Sequence, residues 1–286
     1  MKASRKLREL IATAAPVVAP GAYDGLSARL VEQAGFPAVY ITGGGMARSM
    51  GIPDLGLMSL TEIVGRLESI VDAVDIPVIG DADTGHGNAL NAQHAMRAFE
   101  RAGIAGCHLE DQVFPKRCGH YDDKAIVSQA EMAQKIRAVK DASHDPDFVL
   151  IARTDALAVE GYDKAIERGH AYMEAGADMI FIEAPTSVEQ IERIAKDLPY
   201  PKLINMFHGG KTPLVGSDRL GELGYSLVII PSDTQRAAIK AMQETLAAIA
   251  RDGHSGALQE HMVSFNDREE IIGTSAYLER DKRYSA

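Results

Sequence analysis

Eight times along the chain a short run of β-branched or apolar residues gives way to an amphipathic helical stretch, each pair taking about thirty residues. No other feature restricts the fold so tightly. The expected strands are Pro16 to Ala19, Ala38 to Thr42, Pro77 to Ala82, Ala105 to Glu110, Phe148 to Thr154, Met179 to Glu183, Lys202 to Met206 and Leu227 to Pro231. Helical spacing falls at 24–34, 59–74, 89–102, 129–142, 162–175, 187–197, 217–223 and 233–250. Strands that alternate with helices make parallel sheets, and no Gly-x-Gly-x-x-Gly follows the first strand. A closed (β/α)8 TIM barrel, class α/β, is therefore expected in place of a doubly wound dinucleotide-binding sheet. Residues 1–286 read as a single barrel domain in which 255–286 form a C-terminal helical tail.

With 286 residues and 46% hydrophobic content the chain can bury a large core. Its net charge of −10 and pI near 5.4, without a long Lys/Arg block, argue against nucleic acid or an anionic membrane as the main partner. A small anionic substrate held by a few local cations fits instead. The two cysteines, Cys107 and Cys118, show no secreted-scaffold spacing, which points to reduced thiols in a cytoplasmic protein. At the N-terminus, basic residues precede an apolar stretch as in a signal peptide. Glu9 and Pro16 interrupt it, and Leu7, Leu10 and Ile11 fall at helical spacing, so a short amphipathic helix is expected. No other apolar run approaches a membrane span.

In such barrels the chemistry sits at the C-terminal ends of the strands. Thr42-Gly43-Gly44-Gly45 follows the second expected strand, Asp81 and Asp83 end the third, Glu110 and Asp111 the fourth, Arg153 and Asp155 the fifth, Glu183 the sixth and Asn205 the seventh. Asp111 and Asp155 read as helix caps or loop carboxylates. Asp81 and Asp83, two apart, would project from one face of a strand toward a common centre. With Asp54 and Glu110 as further oxygen donors and no Cys/His pair at zinc spacing, Mg²⁺ or Mn²⁺ suits the site better than Zn²⁺. Gly43-Gly44-Gly45 offers bare backbone amides to an anion or is a flexible turn, and Arg153 is placed to clamp a carboxylate. Cys118 stands in Lys116-Arg117-Cys118-Gly119-His120, where neighbouring positive charge favours the thiolate and marks an acid/base or nucleophilic role. That pentapeptide lies in a long segment between Asp111 and Val127, the length of a lid, with Gly119 leaving room for movement. Cys107, inside a strand, reads as core packing.

Taken together, Tyr40-Ile-Thr-Gly-Gly-Gly45, Pro53-Asp54-Leu55-Gly56, Asp81-Ala-Asp-Thr-Gly85, His108-Leu-Glu-Asp-Gln112, Lys116-Arg-Cys-Gly-His120 and Ile151-Ala-Arg-Thr-Asp-Ala156 resemble the isocitrate lyase and phosphoenolpyruvate mutase superfamily. The cysteine loop resembles that of its carbon–carbon lyase branches. The resemblance implies a Mg²⁺-dependent barrel whose last helix is exchanged between subunits of a homotetramer, a dimer of dimers. It implies Asp81 and Asp83 as metal ligands, with Asp54 and Glu110 acting through water. Thr42, Gly43, Gly44, Gly119, Arg153, Glu183, Asn205 and Arg236 would meet substrate, and Cys118, with Lys116, Arg117 and His120 around it, would carry catalysis. The activity implied is cleavage of a 2-hydroxy di- or tricarboxylate to a 2-oxo acid such as pyruvate and a second carboxylic acid. The segment Asn205-Met206-Phe207-His208-Gly209-Gly210-Lys211-Thr212-Pro213 is similar to the dimethylmalate lyase and oxaloacetate hydrolase group, which favours an alkyl-substituted malate over 2-methylisocitrate. Oxaloacetate hydrolysis, phosphonomutase chemistry and a non-catalytic dicarboxylate-binding barrel are the alternatives.

Overall fold

The computed structural model describes residues 1–119, 121 and 123–285. A first compact unit runs from Met1 to Asp233. In it, among the described residues, eight parallel strands pair in chain order: β1 (Val17–Ala22), β2 (Val39–Ile41), β3 (Val78–Asp81), β4 (Gly106–Glu110), β5 (Val149–Thr154), β6 (Met179–Ile182), β7 (Lys202–Asn205) and β8 (Tyr225–Ile230). β8 returns to β1, so the barrel is closed and has no free edge. Helix α1 (Ala3–Ile11) precedes it. The connections carry α2 (Gly25–Gln33), α3 (Gly43–Ser49), α4 (Leu60–Val71), α5 (Ala89–Arg101), α6 (Gln129–Ala142), α7 (Ala156–Val159), α8 (Tyr162–Glu174), α9 (Val188–Asp197) and α10 (Ser217–Glu222). Helix α11 (Asp233–Asp252) leads into the second unit, which begins at Thr234 and continues through a 3₁₀ turn (Gly256–His261), α12 (Phe265–Ile272) and α13 (Thr274–Tyr284). None of the described helices is long and apolar enough to cross a membrane.

Local chemistry accounts for the helix starts. Asp24 accepts the Ser27 amide, Ser59 the Glu62 amide, Asn88 the Leu90 and Asn91 amides, and Ser128 the Glu131 amide, each satisfying donors a helix leaves open. Two differences from the expected elements stand out. β1 runs past the expected end at Ala19 through Pro20 and Gly21 to Ala22. Pro20 lacks an amide, but Gly21 and Ala22 still pair with Tyr40 and Ile41. Gly43–Gly45 form no flexible turn: they open α3, with Thr42 capping the Gly45 amide at 3.2 Å.

Side chains alternate across each strand, and the alternation divides the core in two. Val17, Ala19, Tyr40, Ile79, Val149, Ile151, Met179, Phe181, Leu203, Leu227 and Ile229 make one cluster, the barrel interior, with the fully buried Leu7 of α1 packed against it. The opposite parity, including Ile41, Val78, Cys107, Leu109, Leu150, Ala152, Ile180 and Ile182, packs with the helices in a larger cluster. Each buried Val, Leu, Ile, Phe or Met among them stabilises the fold by about 1.5–3 kcal/mol. The expected packing role of Cys107 agrees with its place in the outer cluster. Burial there pushes its thiol well above the ordinary range.

The segment between β4 and α6 is an excursion with a fixed neck. The Val113 amide donates to the Ala125 carbonyl at 2.8 Å, the Val127 amide to the Asp111 carbonyl at 2.8 Å, and Gln112 and Ile126 form an antiparallel bridge. Beneath the neck Asp111, fully buried, accepts from Thr154 Oγ1 at 2.6 Å, Tyr172 Oη at 2.8 Å, the Asp155 amide at 2.9 Å and Arg168 Nη1 at 3.2 Å. The cap or loop role expected for Asp111 thus gives way to a buried hub. Without Asp111 the cation Arg168 keeps only Glu160 as a carboxylate partner among the described residues, and the buried Thr154 and Tyr172 hydroxyls and the Asp155 amide lose their acceptor. Asp111→Ala should therefore lose about 3–5 kcal/mol of stability, read by urea denaturation. A loss under 1 kcal/mol would show that the hub does not hold the neck.

Candidate active site

The interior parity continues into the polar residues at the C-terminal mouth. Two steps beyond Ile79 is Asp81, beyond Ile151 is Arg153, beyond Phe181 is Glu183 and beyond Leu203 is Asn205. Strand register sets Glu110 beside Arg153 and Asp81 beside His108. Asp54, Asp81, Asp83, Glu110, Arg153, Glu183 and Asn205 are all buried, so the fold gathers them at one water-poor site.

Asp81 and Asp83 do not reach it in the way their spacing suggested. β3 ends at Asp81, and Asp83 lies beyond it with φ +47°, in the left-handed region that non-glycine residues seldom adopt. The turn replaces strand alternation as the device that brings the carboxylates together, and the Asp83 amide donates to Asp81 Oδ1 at 3.0 Å. Lys116 Nζ lies 2.6 Å from Asp54 Oδ1 and 2.9 Å from Asp83 Oδ1. Lys116, expected beside the thiol, thus directs its ammonium at the carboxylates. Burial pushes the Asp83 carboxyl up to about 6 against the pull of Lys116, with Asp81 and Asp54 adding to the rise. Asp81 goes the other way: burial raises it, but nearby His108, the Lys116 and Arg153 cations and the Asp83 amide bring it below the carboxylate range. Burial depresses the His108 imidazole in turn, against the pull of Asp81.

These donors suit a hard divalent ion. The carboxylate donors are oxygens, Glu110 Oε1 is buried without a hydrogen-bond partner among the described residues, and burial pushes the Glu110 carboxyl well above its ordinary range. Among the described residues no three or more His, Cys, Asp or Glu side chains close into a metal cage. Mg²⁺ commonly takes one or two carboxylates and keeps its remaining ligands as water, so the pair Asp81 and Asp83 fits it.

The glycines work by close approach. A Cβ on Gly43 would lie 2.6 Å from Asp81 Oδ2, and one on Gly44 2.8 Å from Asp54 Oδ2. The Gly43 amide, expected to face substrate, donates to Asp81 Oδ2 at 3.2 Å. Arg153, expected as a substrate clamp, has its bidentate face on Asp155, Nε at 3.0 Å and Nη2 at 3.2 Å. Its Nη1 reaches Glu110 at 3.3 Å and Glu183 at 3.4 Å. Asp155, expected as a cap or loop carboxylate, stands at the N-cap of α7 but makes no capping bond.

The excursion comes down on this cluster. Gly119 is buried, and a Cβ there would collide with Arg153 and lie 2.8 Å from Glu183 Cγ, so the residue after Cys118 has to be glycine for the loop to seat. Cys118 is half-buried, and both cysteines are thiols. Arg117 is exposed, its backbone held by Gln112 at 2.9 Å in both directions. His120 lies outside the described residues, and Arg236 stands on α11 in the second unit. Sequence reasoning passed over Tyr40 and His108, which share the interior parity. Tyr40 Oη is 2.7 Å from His108 Nε2 and 3.4 Å from Asp81 Oδ2, bracing that carboxylate from below.

A parallel barrel whose mouth collects acidic oxygens, an arginine and a thiol-bearing loop defines a class of small-molecule enzymes. Residues 7–250 match the phosphoenolpyruvate phosphomutase family. The chain belongs to this phosphoenolpyruvate mutase/isocitrate lyase superfamily. It is 44% identical to 2,3-dimethylmalate lyase of Eubacterium barkeri over 286 residues, covering 100% of this chain and 99% of the relative. Oxaloacetate acetylhydrolase bound to 3,3-difluorooxalacetate is similar with a TM-score of 0.94 and 35% identity, over 100% of this chain and 98% of the other. Phosphonopyruvate hydrolase in complex with oxalate and Mg²⁺ is similar with a TM-score of 0.92 and 31% identity, over 100% of both chains.

Proposed function

We propose that the protein is a Mg²⁺-dependent carbon–carbon lyase that cleaves an alkyl-substituted malate to a 2-oxo acid such as pyruvate and a second carboxylic acid, with Mn²⁺ able to replace Mg²⁺. The observation that carries this is the seating of Gly119 against Arg153 and Glu183, which sets the Cys118 loop over the oxygen donors. Identity to a dimethylmalate lyase along the whole chain supports the substrate class.

Asp81 and Asp83 would hold the ion, with Asp54 and Glu110 reaching it through water. The bound ion supplies Lewis-acid polarisation of the 2-oxo acid oxygens. Arg153 lies where it offsets negative charge that develops on the substrate. Loss of the 2-hydroxyl proton to a base turns C2 into a carbonyl, and the C2–C3 electron pair passes to the carbon beside the second carboxylate. Cys118 would protonate that carbon, so no oxidant or reductant enters. Water must be kept from this carbanion, which the seated excursion does. Thr42, Gly43, Gly44, Gly119, Glu183 and Asn205 complete the proposed substrate contacts within the barrel unit, and Asn205 Oδ1 is buried without a hydrogen-bond partner among the described residues.

A panel of malate and citrate derivatives, read by pyruvate release through lactate dehydrogenase, tests this. Release from a dimethylmalate, abolished by EDTA and restored by Mg²⁺, is the expected result. No release from any of them would end the lyase assignment, and oxalate formed from oxaloacetate would replace it with the hydrolase activity named for the structural neighbour. The proposal further takes 1–286 as a cytoplasmic barrel chain with the tail 255–286, assembled as a homotetramer through exchange of the last helix. The exposed apolar residues Met242, Leu246, Phe265 and Leu278 support self-association. Light scattering on the purified chain measures it.

A further inference from the structure

Lys124 belongs to no motif, yet its side chain is among the most enclosed charges in the molecule. It lies on the return arm of the excursion, 2% exposed, and Nζ sits 2.6 Å from Asp155 Oδ1, itself fully buried. The same Nζ donates to the Gly119 carbonyl. One ammonium therefore ties the residue following Cys118 to the rim of the barrel. Asp155 is a firm anchor: both its oxygens face Arg153, and its amide is held by Asp111 at 2.9 Å. The charges favour it as well. Arg153 faces Asp155, Glu110 and Glu183, and Lys124 adds a further cation at Asp155. Burying an ammonium is costly unless it is paired and hydrogen-bonded; Asp155 pairs with Lys124, and the seated Gly119 carbonyl gives it a second acceptor.

We infer that Lys124 is a positioning residue for the Cys118 thiol: it clamps the Gly119 carbonyl to Asp155 and thereby fixes where the thiol stands over the substrate. This rests on Cys118 being the proton donor, but the clamp can be measured without turnover. Without Lys124 the carbonyl loses its partner, Gly119 lifts from Arg153, and the thiol drifts. A displacement near 1 Å is enough to lower a rate by about a hundredfold.

The test uses the full-length enzyme with Mg²⁺, comparing wild type with Lys124→Met, which keeps the length but not the charge, and Lys124→Arg, which keeps the charge. The readouts are kcat and KM, hydrogen exchange across the excursion, and the rate of Cys118 alkylation by iodoacetamide with and without oxalate; Cys107, being buried, stays silent. Lys124→Met is expected to lower kcat tenfold to a hundredfold with KM changed less than about threefold, to lose exchange protection in the excursion alone, and to lose the oxalate-dependent slowing of alkylation. Lys124→Arg should fall between. Wild-type protection and alkylation in Lys124→Met would overturn the clamp whatever the fate of the lyase assignment. A loosened excursion with kcat unchanged would overturn the positioning role.

Discussion

Asp83→Ala is expected to lower turnover by on the order of 10³-fold or more, a loss of several kcal/mol of transition-state stabilisation. Folding should not suffer, and the direction of the Asp83 shift says why. Its carboxyl rises from 3.8 to about 6 in the folded chain, chiefly through burial. A carboxyl raised on folding stabilises the protein fully below the unfolded value, and that contribution disappears as pH climbs through the folded value. At pH 7.5 without divalent metal, Asp83 therefore adds nothing to stability, and its removal should leave Tm level or higher. Turnover with saturating Mg²⁺ and melting in EDTA are the two measurements. Wild-type activity in the variant would remove Asp83 from the metal site, and a collapsed Tm would make it a structural residue.

Cys118→Ser should lower kcat by about 10²–10⁴-fold while oxalate affinity stays within a few-fold of wild type. A serine hydroxyl fills nearly the same space but is far too weak an acid near neutral pH to hand over a proton. Arg153 and the Gly43–Gly44 backbone are untouched by the change, so an inhibitor should bind as before. Calorimetry with oxalate and steady-state kinetics separate the two halves. Cleavage within a few-fold of wild type would reopen the phosphonomutase and hydrolase chemistries.

The barrel was readable because its strands are buried on both faces and its helices carry one apolar stripe, two patterns the sequence cannot disguise. The same parity that fills the interior places Asp81, Glu110, Arg153, Glu183 and Asn205 at the mouth, so those residues could be found by position alone. Counting two residues back from Thr42 and Glu110 would also have found Tyr40 and His108. What stayed hidden depends on backbone conformations and tertiary partners that leave no periodic trace. The left-handed turn at Asp83, the aim of Lys116 at carboxylates, the preference of Arg153 for Asp155 and the enclosure of Lys124 are all of this kind. Adjacent charges in a pentapeptide say little about which of them share a surface once the chain folds.

The bridged neck at Gln112 and Ile126 makes the thiol-bearing excursion an exchangeable cassette. Because its two ends are already joined above the Asp111 hub, lengthening or replacing the residues between them adds little closure entropy, about 0.6 kcal/mol per doubling. Evolution, or an experimenter, can graft another loop from a relative onto these ends without disturbing the strands below. New chemistry can then be tried on the same floor of carboxylates wherever the new loop keeps a cation in the place of Lys116.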